Sequence, residues 1–253
     1  MTKPEYYVFI YYLKTFKNRP PGKGYEGMIG KQTHQNNKIV DEEITIPINN
    51  IRLEGHLHIP EKAKGLVIFA HGSGSSRHSS RNRYVAEVLN KRQLGTVLID
   101  LLSAQEEEVD LQTHHLRFDI PLLASRLVGI VNWVTDQDTT KHFNIGYFGS
   151  STGAGAALIA AAKKAEPITA IVSRGGRPDL AGKFLTQVKA PTLLLVGEYD
   201  PQVIELNQQA LAHLNLQSQL NVIPRATHLF EEPGTLERVA HLAVEWFEQF
   251  IET

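Results

Sequence analysis

Three residues could together do chemistry: Ser151, Asp200 and His228, in that chain order. A serine hydroxyl is a weak nucleophile near neutral pH and needs a base within hydrogen-bond reach. Histidine is the side chain best matched to that pH. Its imidazole must present the correct tautomer, which a carboxylate on the other ring nitrogen enforces. Such a trio attacks an acyl carbon, with Ser151 as nucleophile, His228 as base and then acid, and Asp200 as orienting carboxylate. Ser151 stands in Gly149-Ser150-Ser151-Thr152-Gly153, the G-x-S-x-G spacing of a nucleophile elbow. The turn between strand and helix holds the middle residue in strained geometry, so its second neighbours on either side must be small. A tetrahedral intermediate also needs amide donors aimed at its oxygen. The N–H groups of Thr152 and of Ser73, in His71-Gly72-Ser73-Gly74, are the candidates for this oxyanion hole. His71 reads as a brace for that loop. Duller readings exist for two of the three: Asp200 precedes Pro201 and could cap a helix, with Glu198 a competitor for the acid, and His228 could be a loop histidine with no duty.

The elements that would position these residues can be read from periodicity. Ile44, Ile46 and Ile48, then Asn49-Asn50, then Ile51, Leu53, Leu57 and Ile59 predict an antiparallel hairpin. His56 and His58 fall on its polar face, as expected of solvent-facing residues. Apolar runs without alternation at 66–70, 96–100, 145–148, 168–173 and 191–197 predict strands buried on both faces, and 219–223 predicts one more. Between them, helices are expected over 84–91, 116–136, 154–162, 202–214 and 234–251. The pattern describes one mixed, mainly parallel sheet with helices on both faces. In such a sheet functional residues gather at the carboxyl ends of the strands, and Ser151, Asp200 and His228 each follow one. Residues 1–38, with Tyr6 to Leu13 and Arg19-Pro20-Pro21-Gly22, read as an irregular arm, leaving 39–253 as the catalytic domain.

Composition removes several alternatives. With 253 residues, 42% hydrophobic and 21% charged, the chain can bury about three quarters of its unfolded surface in one core. A net charge of −1 and a pI near 6.8 give no electrostatic case for nucleic acid or a membrane surface. No apolar run reaches the roughly 18 residues of a membrane span, and no leader pattern is evident, so a cytoplasmic location is expected. The absence of cysteine rules out disulfides, a thiolate nucleophile and Cys-ligated zinc. Neither metal nor organic cofactor is expected. The expected partner is a small-molecule ester, and a homo-oligomer is allowed.

With these residues in view the chain resembles the α/β-hydrolases, and within them the dienelactone-hydrolase-like group, which includes hydrolase domains joined to a phosphoribosyltransferase. The likeness rests on residues 71–83, on the elbow, and on the Asp200 and His228 segments, and covers about residues 40–251. It implies an α/β-hydrolase fold of about eight strands and agrees with the Ser, Asp, His order. Dienelactone hydrolases proper carry cysteine as nucleophile, where this chain has Ser151. In this fold the cap that shapes substrate choice usually follows the strand after the elbow helix. Here only 176–190 intervenes, which implies a minimal cap and a shallow site for small or medium esters. A thioesterase or acyltransferase, or a non-catalytic binding protein on the same fold, are the alternatives.

Arg77, His78, Arg81 and Arg83 crowd the start of a helix, where cations oppose the dipole. Either Glu106, Glu107, Glu108 or Asp110 offsets them, or an arginine meets an anionic substrate group. Arg77 and Arg174 are the candidates for that contact, and Arg177 is placed likewise.

Overall fold

The computed structural model describes residues 39–251. The expected arm, residues 1–38, lies outside them. Among the described residues eight strands form one sheet in the order β1-β2-β4-β3-β5-β6-β7-β8. β1 (Val40–Ile48) and β2 (Ile51–Ile59) form the hairpin around Asn49, whose φ of 52° suits the left-handed turn. β2 runs antiparallel to β4 (Gly95–Ile99), and every later pairing is parallel: β3 (Leu66–Ala70), β5 (Ile145–Ser150), β6 (Ile168–Arg174), β7 (Thr192–Gly197) and β8 (Gln219–Ile223). This is the α/β-hydrolase fold.

Period-2 side-chain alternation feeds two cores. Ile68 and Tyr147 face one side, packed with α3 (Ile120–Asp136) and α4 (Thr152–Lys163). Val67, Phe69 and Phe148 face the other, against α1 (Ser80–Lys91) and α6 (Thr235–Ile251). Because both faces are covered, β3 to β7 are buried almost throughout, which is why their sequences show apolar runs instead of alternation. No helix among the described residues is long and apolar enough to cross a membrane.

Three local expectations are corrected. The single helix over 116–136 is a 3-10 turn, Leu116–Phe118, followed by α3, because Asp119 caps α3 by accepting from the Leu122 amide at 3.0 Å and Pro121 sits in its first turn. A further helix, α2 (Ala104–Thr113), starts on a capping box in which Ser103 and Glu106 each accept the other's backbone N–H. α1 begins at Ser80, four residues ahead of its expected start, with Ser79 as cap. The hairpin histidines lie part-exposed on the polar face, as expected, and pair there with acids of β1. His56 Nε2 lies 2.7 Å from Asp41 Oδ1 and its Nδ1 3.1 Å from Glu43 Oε1, while His58 Nδ1 lies 3.3 Å from Asp41 Oδ1. His58, with His56 behind it, holds the Asp41 carboxyl below its ordinary range. The β6–β7 connection holds only the short 3-10 segment Pro178–Gln187, kinked at Gly182, with α5 (Pro201–Leu211) following β7.

Candidate active site

Ser151 sits between β5 and α4 at φ 49°, ψ −124°, a conformation that L-residues rarely adopt. The two flanking glycines make it possible. A Cβ on Gly149 would lie 2.5 Å from Ala154 Cα, and one on Gly153 would lie 2.2 Å from the Ala70 carbonyl oxygen. The strained residue is held by its own backbone: its N–H donates to the Arg174 carbonyl at 3.3 Å, and its carbonyl accepts from Ala154 at 3.1 Å and Arg177 at 3.0 Å.

The loop after β3 lies directly against the nucleophile, since a Cβ on Gly72 would be 3.0 Å from Ser151 Cβ. His71 anchors that loop. Its Nε2 accepts the Leu101 amide at 3.1 Å, which places the proton on Nδ1, where it is donated to the Gly72 carbonyl at 2.9 Å. Burial pushes the His71 pKa down, so the ring stays neutral and the tautomer fixed. The Ser73 N–H, expected to face an oxyanion, instead donates to Thr152 Oγ1 at 2.9 Å. Thr152 opens α4, where the first amides have no intrahelical partner.

His228 Nδ1 lies 2.6 Å from Asp200 Oδ2. Asp200 occupies the cap position of α5 but makes no capping bond with its side chain, so its carboxylate serves the imidazole. Glu198, the competitor, accepts the Arg225 amide at 2.7 Å and is spent on the backbone. Two glycines that the sequence reading passed over bring the histidine loop in. A Cβ on Gly197 would lie 2.4 Å from the Ala226 carbonyl oxygen, so only glycine lets the loop cross the end of β7. Gly175, at φ 50°, would place a Cβ 3.5 Å from His228 Cε1 and adjoins Arg174, whose carbonyl holds Ser151. Glu232 ties the loop from below by accepting the Thr227 amide at 3.1 Å, and the nearly fully buried Phe230 plugs it. Among the described residues the Ser151 hydroxyl and His228 Nε2 make no hydrogen bond; catalytic hydrogen bonds commonly tighten only with substrate present.

The cations around the site find other partners than those expected. Arg77 is taken up by Asp100 at the end of β4, its amide on Oδ1 at 2.6 Å and its guanidinium on Oδ2, with Glu43 at 3.7 Å. Its backbone amide and guanidinium are thus both paired within the protein. Arg81 donates to Glu231 at 2.9 Å. The acids of α2 go elsewhere, Glu106 to Arg126 at 2.6 Å and Asp110 to Arg117. Arg177 grips Asp179 through two bonds of 2.8 and 2.7 Å. Arg174 is only 9% exposed. Burial, followed by the neighbouring Arg81, pushes it down to about 10. A crevice of about 550 Å³ between the hairpin and α1 is lined by His56, His58 and Arg77 and by none of Ser151, Asp200 or His228. No group of three or more His, Asp or Glu side chains among the described residues could hold a metal ion.

Comparison with known proteins bears on the family and the fold. The chain is similar to two Mycobacterium tuberculosis proteins, provisionally named phosphoribosyl transferases, at 56% identity over 207 residues; the match takes in 82% of this chain and 46% of theirs, so the chain spans about half the length of those relatives. It is similar to the crystal structure of a dienelactone hydrolase from Anabaena variabilis, with 57% identity, a TM-score of 0.83, and coverage of 84% of this chain and 99% of that one. Est1E from Butyrivibrio proteoclasticus shares the fold at 17% identity and a TM-score of 0.69, covering 82% of this chain and 98% of its own. The model of the dienelactone hydrolase family matches residues 55–253, and the chain belongs to that family.

Proposed function

We propose that the chain is a serine hydrolase that cleaves small or medium carboxylic esters through an acyl-enzyme on Ser151. The observation that carries this reading is the 2.6 Å bond between Asp200 and His228, on a loop laid over Gly197 and Gly175 toward the strained Ser151. His228, with its Nδ1 proton held by Asp200, presents Nε2 as the base for the Ser151 hydroxyl. Ser151 Oγ attacks the ester carbonyl carbon, and the carbonyl π electrons move to oxygen. The oxygen is received by the amides of Thr152 and Ser73. For Ser73 to take part, the carbonyl oxygen replaces Thr152 Oγ1 as its acceptor. His228 then protonates the departing alkoxide as the tetrahedral intermediate collapses. Water, deprotonated by the same imidazole, releases the acid and restores Ser151.

The phosphoribosyl transferase name belongs to proteins more than twice the length matched here, and the reading concerns this chain alone. Short p-nitrophenyl esters and a fluorophosphonate probe test it. The wild type should turn over the esters and take the label, and Ser151→Ala should do neither. Equal turnover by that variant would overturn the assignment.

A further inference from the structure

Among the described residues Arg174 is a buried cation without a counter-charge. Its Nη1 has no hydrogen-bond partner among them, and the charged neighbour that perturbs it is another cation, Arg81. Proteins rarely leave a buried guanidinium this way, because desolvation is offset only by paired charge and hydrogen bonds. Arg81 lies in the first turn of the twelve-residue helix α1, which carries no acidic residue there. Its own Nε is buried without a partner among the described residues, while its Nη1 reaches Glu231. The two elements face each other across Ser150, which pairs with Arg174 in the sheet and donates through Oγ to Asn82 Oδ1 at 3.1 Å, in that same first turn. The amides of Ser80 and Arg81 are among those a helix start leaves without internal partners.

The charges fix the kind of ligand. Two guanidinium groups and one carboxylate, with about half a positive charge from the helix start, leave roughly +1.5 uncompensated. A phosphate group carries about −1.5 to −2 near neutral pH and offers three acceptor oxygens, enough for two guanidinium edges and a helix amide. A carboxylate carries less charge and one oxygen fewer. We propose that Arg174 and the first turn of α1 form a binding site for a phosphate group, either free or on a small molecule. Glu231, the present partner of Arg81, stands three residues beyond His228. The site does not depend on the ester-hydrolysis reading.

Titration calorimetry on the full chain at constant ionic strength, with inorganic phosphate, methyl phosphate and acetate, tests the site. One saturable phosphate per chain is expected, with Arg174→Met and Arg81→Met each weakening it at least tenfold and acetate binding at least tenfold more weakly. Ser151→Ala should bind phosphate as the wild type does, which separates this site from the esterase assignment. Methyl phosphate binding as well as free phosphate points to a small-molecule phosphoester, whereas binding of free phosphate alone points to the ion. Should Arg174→Met fail to fold, Arg81→Met decides alone, its side chain being 34% exposed. An absence of saturable phosphate binding, unchanged binding in the arginine variants that fold, or acetate bound as tightly as phosphate would each overturn the proposal.

Discussion

The Ser73 backbone N–H donates to the side-chain oxygen of Thr152, 79 residues further along the chain, at 2.9 Å. In the proposed reaction that amide must change partner, so the Thr152 hydroxyl is a stand-in for the substrate's oxygen. Thr152→Val keeps the shape and removes the acceptor. Its kcat/KM on p-nitrophenyl acetate should stay within about threefold of wild type or rise. A loss on the order of 10²-fold, the size seen when an oxyanion donor is removed, would show instead that the hydroxyl itself holds the oxyanion.

Asp200→Asn should retain the fold, because the side chain makes no helix-capping bond. It should lower kcat by about 10⁴, the scale expected when the imidazole loses its tautomer control. Glu198→Gln should change kcat by less than about threefold, since its carboxylate accepts a backbone amide and not the imidazole. Steady-state kinetics on the two variants side by side check the assignment.

Gly197→Ala places a methyl against backbone, 2.4 Å from the Ala226 carbonyl oxygen and 2.6 Å from that of Thr227. The histidine loop must shift, and we expect kcat/KM to fall at least tenfold at a stability cost of about 1–3 kcal/mol. Gly182→Ala meets nothing within 4 Å but forces alanine to φ 50°. It should cost about 1 kcal/mol and leave kcat/KM nearly unchanged. Thermal melts with parallel kinetics separate the two effects.

His71 supplies a pH dependence of stability. Burial lowers its pKa in the folded chain below the ordinary imidazole value of 6.5, so the unfolded chain binds the extra proton first. Its contribution is fully present above about pH 6.5 and is lost as the pH falls toward the depressed folded value. The slope from one such group cannot exceed about 1.4 kcal/mol per pH unit. Denaturant melts from pH 5 to 7.5 should show a shallower acid decline for His71→Gln than for wild type.

The parallel sheet and the place of Ser151 could be read directly because local patterns encode them: apolar runs for strands buried on both faces, and a G-x-S-x-G turn between β5 and α4. Helix α2 was also legible, through Ser103-Ala-Gln-Glu106, but its few apolar residues obscured it. The break before α3 needed Asp119 and Pro121 to be weighed above the apolar spacing. Partner choice was beyond local pattern. Arg81 meets Glu231 across 150 positions of sequence, and Gly197 matters only because the chain returns over it some thirty residues later, where the Ala226 and Thr227 carbonyls pass. Such contacts follow from the tertiary path.

Strand β1 borders the sheet among the described residues, pairing only with β2. It carries Asp41, Glu42 and Glu43 in succession and Pro47, which has no N–H to offer a further strand. A second copy adding edge to edge there would set carboxylates against carboxylates and lose a ladder bond. The acidic run and Pro47 thereby make this edge a poor template for an added strand.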